Sequence, residues 1–205
     1  MLGETRAAGD KWGNWIGTLG DRREVGIGNA RAELVLVTGG AGSGRHALAG
    51  KLAAELGAAV LHLCVERSIE KAPPPPRLEN GAGTRQVRAE SLLETLKQWE
   101  VGGEAVVLDD LANWVAARLE VSGSRGGSMP SGSEAVLRET ELLLDTLRRR
   151  HLATVALTRE VGWDVVPDRL EDRLYRDTLG WVNQAWARTA DAVWLTVAGV
   201  PFRLK

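Results

Sequence analysis

Apolar residues fall along this chain in short unbroken runs, separated by stretches with helical spacing. Leu34-Val35-Leu36-Val37 is the first such run. A continuous apolar segment this short reads as a strand buried on both faces. It ends in Thr38-Gly39-Gly40-Ala41-Gly42-Ser43-Gly44, and Ala47 to Leu56 then carries a helix pattern closed by Gly57. Ala58 to Leu63 is a second strand, so strand, glycine loop, helix and strand make one βαβ unit. Leu92, Leu93, Leu96 and Trp99 suggest a helix, and Ala105 to Leu108 a third strand ending at Asp109-Asp110. Leu111, Trp114, Val115 and Leu119 have helical spacing. Ser122 to Ser133 reads as a Gly/Ser loop. Ala135 to Arg150 reads as an amphipathic helix with Leu137, Leu142, Leu143 and Leu147. Thr154 to Thr158 is a fourth strand, and Leu170 to Ala187 a helix with Leu174, Tyr175, Leu179, Val182 and Trp186 on one side. Ala192 to Val197 and Val200 to Leu204, split by Ala198-Gly199, read as a closing hairpin.

Strands alternating with helices predict an α/β fold of P-loop NTPase type. The sheet is mainly parallel, with helices on both faces and a C-terminal strand pair. Residues 1–30 are rich in Gly and charge and lack a clean period. They read as a flexible extension ahead of one domain, 31–205. Pro73 to Pro76 exclude helix and central strand, leaving an extended connection.

Composition narrows the function classes. A chain of 205 residues suits one domain with a full core. The formal net charge of −1 advertises no basic surface for nucleic acid and no polybasic run for a membrane. No apolar run approaches the ~20 residues of a membrane span, and no signal-peptide pattern stands at Met1. Cys64 is the only cysteine, so no intramolecular disulfide forms; a cytoplasmic protein is the expectation. Eight Trp against one Tyr and one Phe are scattered rather than clustered, which favours core and rim packing over a stacking platform.

The candidate chemistry starts at Gly39-Gly40-Ala41-Gly42-Ser43-Gly44-Arg45-His46. The phosphate-cradling loop is usually G-x-x-x-x-G-K-[ST]. Small residues let backbone N–H groups turn toward one centre, and the following helix N-terminus adds its dipole. Arg45 stands for the Lys and keeps a charge able to fork onto phosphate. His46 stands for the hydroxyl residue that meets Mg²⁺, and imidazole is a poor ligand for a hard cation. The alternative is a strand-to-helix turn with no ligand. Asp109 ends an apolar strand, where a carboxylate meets Mg²⁺ at the carboxyl edge of a parallel sheet. A helix N-cap is the competing role, which Asp110 could equally serve.

These residues carry a specific resemblance. Leu36-Val37-Thr38-Gly39-Gly40-Ala41-x-Ser43-Gly44 and Val107-Leu108-Asp109-x-Leu111 with Trp114-Val115 resemble the adenosylcobinamide kinase / adenosylcobinamide-phosphate guanylyltransferase family of cobalamin biosynthesis. Thr158-Arg159-Glu160-Val161-Gly162, Val166-Pro167, Tyr175-Arg176-Asp177-x-x-Gly180-x-Val182-Asn183-Gln184, Ala190-Asp191-x-Val193 and Val197-Ala198-Gly199-Val200-Pro201 follow in that family's order. The match covers about Glu33 to Lys205. It implies a cytoplasmic transferase using ATP or GTP with Mg²⁺ on a corrinoid, adenosylcobinamide, and a homo-oligomer, a trimer. It further implies phosphorylation of the aminopropanol hydroxyl, then GMP transfer through a guanylylated histidine.

The departures have consequences. The interval that holds the family's histidine has none here, since no His lies between His62 and His151. His62 stands where the family usually has Tyr and is the weak candidate for a relocated nucleophile; half-buried strand packing is its bland alternative. His151 is expected at the surface. Ala112, Ala116 and Ala117 occupy the region of the family's Thr and Asn. A second reading is therefore a catalytically impaired nucleotide- or corrinoid-binding paralogue with a regulatory role, and a third is a P-loop kinase for another alcohol.

Overall fold

The computed structural model describes residues 33–57, 59–64, 84–88, 91–99, 103–124, 129–163 and 165–205. The expected extension over 1–30 and the Pro73 to Pro76 connection lie outside the described residues. In chain order the elements are β1 (Leu34–Gly39), α1 (Arg45–Leu56), β2 (Val60–Cys64), β3 (Thr84–Arg88), α2 (Leu92–Gln98) and β4 (Ala105–Asp109). α3 (Leu111–Ser124), α4 (Met129–Arg149), β5 (Thr154–Thr158), α5 (Leu170–Thr189), β6 (Ala192–Val197) and β7 (Val200–Arg203) follow.

The strands form one sheet in the order β3-β2-β4-β5-β1-β6-β7. Every pairing is parallel except β6 with β7, the closing hairpin that the Ala198-Gly199 break predicts. The four strands expected to be neighbours stand side by side as β2-β4-β5-β1. Each is joined to the next in sequence by a crossover too long for a hairpin, which forces the parallel sense.

Strand alternation splits the core in two. Leu34, Leu36, Leu61, Leu63, Val106 and Leu108 face one way and pack with Leu92 and Leu96 of α2, Trp114 of α3, Leu143 and Leu147 of α4, and Trp186 of α5. Val35, Val37, Val60, Val107, Val155 and Leu157 face the other way, under Ala49, Leu52 and Ala53 of α1. Helices therefore cover both faces, with α1 alone among the described helices on its side. Small Ala residues on α1 bring its axis close to the sheet, which holds its first turn over the strand ends.

The structure corrects the sequence reading in three places. β3 was not foreseen: Thr84-Arg85-Gln86-Val87-Arg88 has a single large aliphatic residue, so its pairing with β2 is invisible to an apolar pattern. The Ser122–Ser133 loop is mostly helix. α3 runs to Ser124 and α4 begins at Met129. Pro130 falls in the first turn of α4, where an N–H has no intrahelical partner to lose. Leu142 is 55% exposed, because the buried stripe of α4 runs through Val136, Leu143 and Leu147 and Leu142 lies about 100° away from Leu143. Among the described tryptophans, Trp114 and Trp186 are fully buried and Trp194 nearly so, which fits core packing; Trp181 is partly exposed, and Trp163, 74% exposed, departs from the expected core-and-rim placement. No helix among the described residues is long and apolar enough to cross a membrane.

One carboxylate ties three elements together. Asp191, just before β6, accepts the Leu34 backbone N–H at 2.8 Å and both terminal nitrogens' reach of Arg148 on α4, at 2.8 and 2.9 Å. Burial works against its charge, but Arg148 and the Leu34 N–H outweigh it, so its pKa lies below the ordinary value. Asp191→Ala is expected to cost about 1 kcal/mol at neutral pH, since the pair is partly exposed. A depressed folded-state pKa means this stabilisation is present above the unfolded Asp value of about 3.9 and is lost as pH falls through the folded one. Urea unfolding of both proteins checks this: the difference seen at pH 7 should shrink below about pH 4.

Candidate functional site

The glycine loop leaves the carboxyl end of β1 and turns into α1, and each step of the turn has a physical cause. A Cβ on Gly39 would stand 2.3 Å from Thr196 Oγ1, 2.5 Å from Ser43 Oγ and 2.7 Å from the Thr196 carbonyl oxygen, so only glycine fits. Gly44 caps α1 with φ +90°, a conformation that favours glycine. Ser43 is buried: its hydroxyl lies 3.0 Å from Thr196 Oγ1, which itself donates to the Thr38 carbonyl at 3.1 Å. The Gly199 N–H donates to the Ser43 carbonyl at 2.9 Å. The β6–β7 hairpin thus braces the loop from one side, leaving Gly40, Ala41 and Gly42 exposed at its tip.

β4 braces it from the other side. Parallel pairing sets Cys64 of β2 opposite Asp109 of β4, with His62 opposite Val107. His62, Cys64 and Asp109 share the face that α1 covers, and the first turn of α1 brings His46 above them. Asp109 Oδ1 lies 3.2 Å from His46 Nε2, and Asp109 Oδ2 lies 3.0 Å from His62 Nε2. Burial alone would raise the Asp109 pKa; the two imidazoles outweigh it and hold the carboxyl well below the usual range. Burial alone would lower the His62 pKa, but its hydrogen bonds to Asp109 and Cys64 push it up to about 9.

Asp110 has a different role, which separates the two carboxylates. Its Oδ1 accepts the Asn113 N–H at 2.8 Å and so caps α3. Its Oδ2 accepts from Arg159 Nε at 2.9 Å and from Arg45 at 3.4 Å. Arg45 also donates to the carbonyls of Gly39 at 3.2 Å and Gly40 at 2.9 Å. Burial lowers its pKa, with Asp110 opposing. The guanidinium expected to fork onto phosphate is therefore tucked beneath the loop. Arg159, at the end of β5, reaches Asn113 Oδ1 at 3.1 Å and keeps 38% of its side chain exposed. Asn183 of α5 holds this strand end: its amide oxygen accepts from Thr158 Oγ1 at 2.6 Å, and its amide donates to the Arg159 carbonyl and to Glu160. Burial raises the Glu160 pKa, Asn183 opposing.

The structure brings together Gly39 to Gly44, Arg45, His46, His62 and Asp109 at one edge of the sheet. His62 is more buried than expected, only 3% exposed. His151 stays apart in an exposed turn before β5, a strand's length of roughly 16 Å from the carboxyl edge. Sequence reasoning gave no role to Arg159, Asn183 or Thr196. A cation directly after an apolar strand was the available signal for Arg159. Nothing local marks Thr196, whose partners are 153 and 158 residues away.

Residues 35–204 match the family described as cobinamide kinase / cobinamide phosphate guanyltransferase. The bifunctional adenosylcobalamin biosynthesis protein CobP of Pseudomonas aeruginosa is 30% identical over 175 residues, covering 83% of this chain and 96% of that protein. The bifunctional adenosylcobalamin biosynthesis protein CobU of Salmonella typhimurium is 38% identical over 71 residues, 35% of this chain and 39% of that protein. Its Escherichia coli counterpart is 36% identical over 72 residues, 35% of this chain and 40% of that protein.

The two arginines on Asp110 predict unequal effects. Asp110→Ala strands Arg45, whose side chain is only 7% exposed, and is expected to cost about 3 kcal/mol. Arg159→Ala removes a partly exposed partner and should cost about 1 kcal/mol or less. Chemical denaturation of both variants measures the difference; equal costs would mean that Arg45 does not depend on Asp110.

Proposed function

This chain belongs to the cobinamide kinase / cobinamide phosphate guanyltransferase family, a family of transferases, and on that premise we propose that it is a nucleoside-triphosphate-dependent kinase for the aminopropanol hydroxyl of adenosylcobinamide that lacks guanylyl transfer through a histidine intermediate. The observation that carries this reading is the state of the two nearby imidazoles. His46 and His62 are both engaged by one buried carboxylate, Asp109, and His151 stands at the wrong edge of the sheet. A nucleophilic imidazole must be in line with the α-phosphorus and its leaving group. On this reading two of the three are held by Asp109 and the third stands away from the glycine loop.

Phosphoryl transfer asks less of the protein. The substrate hydroxyl oxygen forms a bond to the γ-phosphorus while the bond to the β–γ bridging oxygen breaks, the nucleoside diphosphate leaves and the hydroxyl proton passes to solvent, through a loose transition state that needs position and charge more than a strong base. The glycine loop and the N-terminus of α1 offer backbone donors for the triphosphate. Arg45 adds charge from beneath the loop, and Arg159 is a partly exposed cation at the same edge. ATP or GTP fits this reading equally, and the corrinoid is the small-molecule partner.

Mg²⁺ arriving with the triphosphate is part of that substrate. The corner at Asp109 is not a fitting resident site for it. A hard cation wants several oxygen donors, and the side chains that meet Asp109 are two imidazoles, with a thiol beside one of them. The same reading has the protein work in the cytoplasm, as a homo-oligomer of the family's trimeric kind, with no nucleic acid and no membrane as partner. The impaired, nucleotide-binding reading is favoured by one observation: Arg45 is committed to the loop carbonyls and Asp110.

Two labels separate these readings. With γ-labelled ATP or GTP and adenosylcobinamide, label should pass to the corrinoid. With α-labelled GTP, no alkali-stable, acid-labile label should remain on the protein. Such a label lost in His62→Ala would make His62 a relocated nucleophile. Saturating nucleotide should raise stability by about 2.7 kcal/mol at ~100 times its Kd. That rise without transfer to the corrinoid would favour the impaired reading. No rise with either nucleotide would leave the loop as a structural turn.

A further inference from the structure

The misfit to Mg²⁺ has a positive counterpart in the same residues. His62, Cys64 and Asp109 each offer one ligand atom, and these three atoms lie within 4.8 Å of one another. A tetrahedral Zn²⁺ with bond lengths of ~2.0–2.3 Å holds its ligand atoms about 3.3–3.7 Å apart. The His62–Asp109 separation of 3.0 Å needs to open by a few tenths of an ångström, and no other separation needs to close by more than about one. Rotation of the Cys64 side chain supplies that kind of adjustment, since it lies at the end of β2 and is only half-buried.

We propose that His62, Cys64 and Asp109 form a three-ligand site for a borderline transition-metal cation of the Zn²⁺ type, with His46 beside the fourth position. The donor set of one imidazole, one thiolate and one carboxylate is chemistry that Zn²⁺ and Co²⁺ accept and Mg²⁺ does not. Strand pairing alone assembles it: Cys64 and Asp109 are register partners, and His62 is two residues from Cys64 on the same face. The site is sheltered, with the side chains of His62 and Asp109 only 4% and 9% exposed. His46 is 31% exposed and contacts the other oxygen of Asp109. On binding, the metal takes the place of the hydrogen between His62 Nε2 and Asp109, and that proton and the Cys64 thiol proton both leave to solvent, while the imidazole keeps its hydrogen on Nδ1. Three protein ligands with a fourth position beside the glycine loop is the arrangement of a metal that meets an exchangeable ligand, such as water or a phosphate oxygen.

The test uses the full chain, stripped with a chelator, without nucleotide or corrinoid, so its outcome is independent of the kinase reading. Anaerobic titration with Co²⁺ should bind one equivalent, with intense visible d–d absorption and a near-ultraviolet thiolate-to-cobalt charge-transfer band. Zn²⁺ should abolish both signals, and millimolar Mg²⁺ should not. Cys64→Ser should lose the charge-transfer band and weaken Zn²⁺ binding at least tenfold, and His62→Gln should weaken it similarly. Circular dichroism identifies any variant that fails to fold, and the wild-type spectrum decides the matter without them. Absence of the charge-transfer band in the wild type, or Zn²⁺ affinity unchanged in both variants, would overturn the proposal and leave His62–Asp109 as a hydrogen-bonded pair only.

Discussion

The grip of two consecutive carboxylates at the end of β4 on the first turn of α1 organises the rest of this molecule. Asp110 holds Arg45 and Asp109 holds His46, so the turn after the glycine loop is fastened to the strand two places away in the sheet. Both carboxylates are nearly buried, and so is Arg45. Charges in such a place are costly unless each has its partner, and removing one partner strands the other. Few rearrangements of the loop are therefore open to the protein without breaking a buried contact.

That constraint meets a second one from the opposite side. The β6–β7 hairpin contributes the Thr196 hydroxyl and the Gly199 N–H, which hold Ser43, and the Thr196 backbone leaves no room for a side chain at position 39. The loop is thus held between the C-terminal β6–β7 hairpin and β4, with its tip open. A rigid cradle suits phosphate binding, since donors already in place lose little freedom when the ligand arrives.

The same grip accounts for how this chain departs from the pattern it resembles. Arg at the Lys position and His at the hydroxyl position do not leave holes. They make direct contacts to Asp110 and Asp109. His62 and Cys64 set a nitrogen and a sulfur beside the second of these carboxylates. Four side chains from three elements thereby change the character of one corner from hard to borderline, while the loop's glycines and the Asn183 anchor on β5 keep the frame.

Much of this was legible in the order of residues. Buried parallel strands are apolar on both faces, so Leu34–Val37, Ala105–Leu108 and Thr154–Thr158 announced themselves, and the glycine loop between strand and helix marked the edge where the site lies. Asp109 was placed by the same logic, as the polar residue ending an apolar strand. β3 was not legible, because its strand character comes from pairing with β2 rather than from its own side chains. Nor were the contacts that define the site. Arg45 carries the same charge whether it reaches out to phosphate or tucks under the loop, and only the position of Asp110, 65 residues on, decides which. His62, Cys64 and Asp109 are distant in sequence and ordinary one by one. Parallel pairing of β2 with β4 makes them neighbours, because register follows from how the apolar faces of both strands are buried together and not from any local signal at these three residues.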